Sequence, residues 1–91
     1  MIIISQDKGK IMNFDNMTRV YITFDEGDDD VCIRTDTVDS LYENLGYYKT
    51  EERAKEVLQE IVQLYIECNR RDSYGTGFGY VSNAAFEMPA K

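Results

Sequence analysis

From Thr50 to Asn69 the apolar side chains fall at 54, 57, 58, 61, 64, 65 and 68, the three-and-four spacing that places them on one face of a single long helix. Thr50 suits the N-cap, Glu51 and Glu52 complement the positive end of the helix dipole, and neither Pro nor Gly interrupts the following turns. Ala54, Val57, Leu58, Ile61, Leu64, Tyr65 and Cys68 fill the face, while Val62 and Ile66 extend it sideways to roughly 200° of arc. A helix that only covers a sheet would expose polar residues there. Val62 and Ile66 are therefore expected to form a subunit contact, unless the segment from Asp39 to Tyr48 folds over them.

The remaining chain must pack around that stripe, and 91 residues are expected to make one small domain, 1–91, whose modest core favours self-association. The net charge of -7, from 17 acidic against 10 basic residues, argues against direct nucleic-acid binding, which requires a basic footprint. No apolar run is long enough to cross a bilayer, and Met1-Ile2-Ile3-Ile4 is too short for a secretory signal, so a cytoplasmic location without membrane contact is expected. The chain has no His, which removes Ser-His, Cys-His and His-Glu-x-x-His chemistry, and with no Cys-x-x-Cys spacing tetrahedral zinc lacks its usual ligands. Neither a metal nor a cofactor is implied, and no catalytic pair stands out among the carboxylates, tyrosines, lysines and arginines. Cys32 and Cys68 sit at apolar strand and helix positions and read as reduced core thiols.

The first half reads as strands joined by tight turns. Ile2-Ile3-Ile4-Ser5 and Ile11-Met12-Asn13-Phe14 flank the turn Asp7-Lys8-Gly9-Lys10, with Gly9 available for a positive φ. Arg19-Val20-Tyr21-Ile22-Thr23-Phe24 alternates as a half-buried strand does, and Val31-Cys32-Ile33-Arg34-Thr35 returns after the acidic turn, making a second hairpin. Between Asp36 and Lys49 two readings compete. Val38, Leu41, Tyr42 and Leu45 have helical spacing with Gly46 as a stop, whereas Tyr47-Tyr48 suits a loop or a strand. A last strand is expected at Ala84-Ala85-Phe86-Glu87-Met88, stopped by Pro89. The fold class is α+β: an antiparallel sheet of four to five strands on one long helix, with a second short helix as the variant.

Two segments carry unusual chemistry. In the acidic turn, Asp25, Glu26, Asp28, Asp29 and Asp30 lack the alternation of a calcium loop, and read either as a solvated tip or as a decoy presented to a basic surface. Past the helix, Arg70 and Arg71 either satisfy terminal carbonyls or, as forked donors, grip phosphate. The glycines at 75, 77 and 79 let backbone amides approach an anion, and Tyr74, Phe78 and Tyr80 offer rings to a base. With Arg34 added, this set suits a small phosphorylated nucleotide, although it lacks the Gly-Lys-Ser/Thr of a P-loop.

Ser5-Gln6-Asp7-Lys8 after an aliphatic strand, Gly46-Tyr47-Tyr48-Lys49-Thr50-Glu51-Glu52-Arg53-Ala54 leading into Val57-Leu58-Gln59-Glu60-Ile61, and a final Phe86-Glu87-Met88-Pro89 resemble a family of roughly 90-residue proteins from Gram-positive bacteria, their phages and mobile elements. The similarity spans nearly the whole chain and implies a setting rather than a chemistry, with no functional residues to carry over. Small non-enzymatic proteins in that setting often counter host defences. The resemblance therefore implies a sponge for a nucleotide immune signal, or alternatively the acidic decoy or a structural interaction protein. In the sponge, Arg34, Arg70 and Arg71 would contact phosphates and Tyr74, Phe78 or Tyr80 would stack on adenine between subunits.

Overall fold

The computed structural model describes residues 1–25, 27, 29–39, 41–73 and 85–91, with helix side chains described through Glu67. The chain is α+β. In order it forms β1 (Ile2–Ile4), β2 (Ile11–Asn13), a 3-10 turn (Phe14–Asn16), β3 (Met17–Phe24), β4 (Val31–Thr37), β5 (Tyr42–Tyr48), α1 (Glu51–Ser73) and β6 (Ala85–Glu87).

Both hairpins expected from the sequence are present, but the strands do not share one sheet. Those described form two sheets of three, ordered β2-β1-β6 and β3-β4-β5. The 3-10 turn separates β2 from β3, with the Asn13 side chain accepting from Asp15 N at 3.0 Å. β6 then pairs parallel to β1, Ile3 opposite Phe86, rather than extending the longer sheet. The correction from one sheet to two thus comes from a pairing between segments at opposite ends of the sequence, which local periodicity cannot reveal.

In the β1–β2 turn the positive φ of 61° falls on Lys8, not Gly9. The turn is held from within: Ser5 Oγ donates to Asp7 Oδ1 at 2.6 Å, the same oxygen accepts from Gly9 N at 2.8 Å, and Lys10 N donates to Ser5 Oγ at 3.1 Å. Satisfying three polar groups offsets the strain of a left-handed lysine. Gly27, in the acidic turn, takes a positive φ of 82°.

The helix starts where its cap predicts. Thr50 Oγ1 accepts from Arg53 N at 3.0 Å, and Glu51 pairs with Lys55 one turn on at 3.0 Å. Its buried positions are Ala54, Val57 and Ile61, which join Val31 and Ile33 of β4, Leu45 and Tyr48 of β5, Ile3 and Phe86 of the smaller sheet, and Met88 just past β6, in one core. Leu58 and Leu64 pack partly against it, whereas Tyr65 is 43% exposed and lies 5.4 Å from the Phe14 ring. Phe24, expected on the inner face, is also exposed. The Cys68 side chain lies outside the described residues. Cys32 is fully buried as a free thiol.

The segment from Asp36 to Lys49 contains β5 and no helix among its described residues. Its period is broken by a bulge: Ile33 faces Gly46 while Arg34 faces Asn44, so Leu45 is the extra residue and both Leu45 and Tyr48 enter the core. Gly46 is not a helix stop. A Cβ there would lie 3.0 Å from Gln6 Cβ and 3.1 Å from the Tyr48 hydroxyl. Gly46→Ala is therefore expected to destabilise the protein by about 1–3 kcal/mol by overpacking, measured as a lower urea midpoint; an unchanged midpoint contradicts the tight fit.

Candidate functional site

Three features of the surface have the chemistry to bind something. The first is the face of β3-β4-β5 turned away from the helix. Strand alternation sends Val31, Ile33 and Thr35 toward α1 and Cys32, Arg34 and Asp36 to the other side. There Arg34 Nη2 donates to Asp25 Oδ1 at 2.7 Å, its Nε donates to Asn44 Oδ1 at 2.7 Å, and its guanidinium lies 4.5 Å from the centre of the Tyr42 ring. Asn44 Nδ2 donates to the Tyr47 hydroxyl at 3.1 Å, which donates to Asp25 Oδ2 at 3.2 Å. The Cys32 thiol donates weakly to Asn44 Oδ1 at 3.5 Å.

This network is closed on itself. Burial opposes the Arg34 charge, yet the hydrogen bond and charge of Asp25 hold its pKa above the ordinary value. Burial, with Cys32 and Asp25 beside it, pushes the Tyr47 phenol up to about 12, and burial likewise raises the Cys32 thiol, leaving it protonated and unreactive. Arg34 is therefore engaged with the chain's own groups, and its strand presents it on the face opposite α1. The structure does not bring Arg34 to the helix bearing Arg70 and Arg71. Beside it, Arg19 Nε donates to Asp36 Oδ2 at 2.6 Å and the Tyr21 hydroxyl donates to Asp36 Oδ1 at 3.0 Å.

A pH dependence follows. The Arg19 guanidinium and the Tyr21 hydroxyl hold the Asp36 carboxyl below its usual 3.8, and Ser5 with the Gly9 amide does the same for Asp7. A depressed folded pKa adds stability that is complete above the unfolded value and vanishes as pH falls through the folded one. The urea midpoint is expected to hold down to about pH 4 and to drop below it, with a shallower acid slope in Asp36→Asn. Equal slopes in the two proteins remove Asp36 as a contributor.

The second feature is the helix flank. Val62 is 46% exposed and Ile66 41%. The alternative in which the segment from Asp39 to Tyr48 shields them fails, because 42–48 is committed to the sheet as β5. A groove of about 390 Å³ runs beside this flank, lined chiefly by Phe14, Met17, Val20, Leu58, Ile61 and Val62. The backbone of Arg70 and Arg71 continues the same helix; their side chains, and the whole of Tyr74, Phe78 and Tyr80, lie outside the described residues.

The third feature, which sequence reasoning missed, is a pocket of about 600 Å³ where the end of β5 meets the start of α1 and the segment after β6, lined by Gln6, Asp30, Tyr47, Tyr48, Lys49, Arg53, Ala90 and Lys91. Its members are scattered along the chain, so no motif marks it. Of the acidic turn, Asp25 is drawn back onto Arg34, Asp29 is exposed, and Glu26 and Asp28 lie outside the described residues. Among the described residues no group of His, Cys, Asp or Glu is placed to hold a metal ion, and no helix is long and apolar enough to cross a membrane. Comparison with family models, curated proteins and solved structures finds no match to this chain.

Proposed function

We propose that this chain is a non-enzymatic binding protein that works as a homo-oligomer and sequesters a small phosphorylated nucleotide, as an anti-defence protein of a phage or mobile element. The observation that supports the reading most is the open apolar flank of α1. Val62, Tyr65 and Ile66 are large apolar side chains in water, adjoining a groove with Phe14, Met17 and Val20 at its edge. Covering such area yields about 25 cal/mol per Å², and a small domain gains proportionately from it. The occupant is a second copy. The flank runs along the helix toward Arg70 and Arg71, so a parallel pairing of two such helices would bring the arginines of both chains, and the Tyr74, Phe78 and Tyr80 that follow them in sequence, to one seam, where guanidinium forks would meet phosphate and rings a base.

Arg34 has a different part. Tied to Asp25 and Asn44, it anchors the root of the acidic turn and leaves phosphate contact to the helix arginines. The same tie weakens the decoy alternative, because that reading needs the turn's carboxylates presented outward and Asp25 faces the sheet. The phage and anti-defence setting rests on the sequence resemblance alone.

Sedimentation velocity tests the assembly: wild type is expected to sediment as an oligomer and Val62→Glu with Ile66→Glu as a folded monomer. A monomeric wild type removes the seam. Thermal-shift screening against cyclic dinucleotides and ADP-ribose derivatives tests the ligand, since a molecule present at 100 times its dissociation constant adds about 2.7 kcal/mol of stability. Oligomers unmoved by every such compound would overturn the sequestration.

A further inference from the structure

The pocket at the junction of β5 and α1 lies at the opposite end of the helix from the arginine segment, and its walls are fixed by hydrogen bonds rather than by loose packing. Gln6 Nε2 donates to the carbonyls of Tyr47 at 2.8 Å, Ala90 at 3.0 Å and Pro89 at 3.2 Å, while its Oε1 accepts from Tyr47 N at 2.7 Å. Arg53 Nε donates to the Lys91 carbonyl at 2.9 Å, closing the far side. Preformed walls spare a ligand the ordering cost of binding, and the volume of about 600 Å³ falls within the range of small-molecule sites.

Its chemistry departs from that of the chain as a whole. In a protein of net charge -7, the described residues that line this pocket include the cationic side chains of Lys49, Arg53 and Lys91 and one acidic side chain, that of Asp30. Arg53 is shared with Glu56 and Glu60, but Lys49 and Lys91 make no ion pair among the described residues, and both are exposed at the rim. Tyr47 offers its ring rather than its hydroxyl, which donates to Asp25, while Tyr48 is buried in the core behind the wall and its hydroxyl donates to the Pro89 carbonyl at 2.8 Å. Both phenols stay neutral, pushed up to about 12 chiefly by burial, and so do not repel an anion.

We infer that this pocket is a binding site for a flat ring carrying a phosphate, a nucleoside monophosphate in class, with the ring against Tyr47 and the phosphate between Lys49 and Lys91. Each chain holds one complete site, independent of the seam between copies.

The test uses AMP, adenosine and inorganic phosphate as probes at millimolar concentration, read by thermal shift and by NMR perturbation of residues around Lys49. AMP is expected to raise the melting temperature, and the two fragments to do so far less, since neither makes both contacts. Lys49→Glu with Lys91→Glu, at exposed positions outside the core, is expected to weaken AMP binding at least about tenfold while leaving the urea midpoint near that of wild type. Val62→Glu with Ile66→Glu should leave the AMP response unchanged. An absent response to AMP, or one kept by the lysine variant and lost in the helix variant, overturns the pocket; the oligomer proposal is judged separately by sedimentation.

Discussion

Gln6→Ala is expected to destabilise the protein by about 2–4 kcal/mol, more than any other single polar change, in a domain whose total stability is of the order of 5–15 kcal/mol. One side chain joins three separate parts of the fold. Its amide spans the carbonyls of Tyr47 in β5 and of Pro89 and Ala90 beyond β6, and its oxygen satisfies the Tyr47 N–H at 2.7 Å. Truncation leaves that N–H and the carbonyls of Tyr47 and Ala90 to be rehydrated, while the Pro89 carbonyl keeps the Tyr48 hydroxyl, and water replaces the lost amide imperfectly. Gln6→Glu sharpens the test. It keeps an acceptor for Tyr47 N but turns a carboxylate oxygen toward the three carbonyls, so it should destabilise at least as much as alanine. Equilibrium urea unfolding measures both, and an alanine variant within experimental error of wild type would show that the two sheets are joined by other means.

Ile33→Ala should be the largest apolar loss, in the upper half of the 2–5 kcal/mol typical of such truncations, about 3–5 kcal/mol. Ile33 is fully buried at the centre of β4, facing Ile22 on one side and Gly46 on the other. A cavity there is hard to refill. The neighbour across β5 has no side chain to move inward, and Gln6 packs behind it too closely to allow the strand to shift. By contrast Val62→Ala, at a position 46% exposed in the single chain, should alter the stability of a monomer by well under 1 kcal/mol while weakening association. Chemical denaturation of Ile33→Ala and of Val62→Ala, both at dilutions where the chain is monomeric, checks the contrast. Similar losses at the two positions would mean that the core is not centred on β4.

The helix and the β3–β4 hairpin were legible in the sequence because each announces itself locally. Thr50 and two glutamates mark the helix start, and alternation on either side of Gly27 marks the hairpin. The exposure of Val62 and Ile66 followed from the same angular count. β5 was ambiguous for a physical reason. Leu41, Tyr42 and Leu45 keep a helical spacing in sequence, but Leu41 and Tyr42 are exposed, and the bulge at Leu45 interrupts the strand's period of two and brings Leu45 and Tyr48 to the same buried face. Gly46, read as a possible helix stop, answers instead to Gln6, forty positions away in sequence. The division into two sheets was equally out of reach, since Ile3 and Phe86 are neighbours only in space.

The candidate site divides in the same way. Arg34, read from the sequence as a phosphate contact, lies on a strand, and its partners Asp25 and Asn44 reach it through strand register rather than through any motif. The pocket around Lys49 and Lys91 assembles a turn, a strand end, a helix start and the segment past β6, and none of these carries a signature. The side chains of Arg70 and Arg71, and the whole of Tyr74, Phe78 and Tyr80, lie outside the described residues, so their part in the seam is a proposal.

β1 lies in the middle of its sheet, with β2 on one edge and Ala85–Glu87 on the other. On the ribosome, therefore, the larger sheet and much of the helix emerge well before β1 receives its second neighbour. For that interval Ile2–Ile4 has a bare edge, and Ile3 lacks the cover of Phe86 and Met88. A nascent copy alongside carries the same unfilled slot. Strand exchange, with each chain lending its β6 to the other's β1, is the misassembly expected when copies are crowded during synthesis, and intertwined dimers that disappear on refolding at high dilution would reveal it.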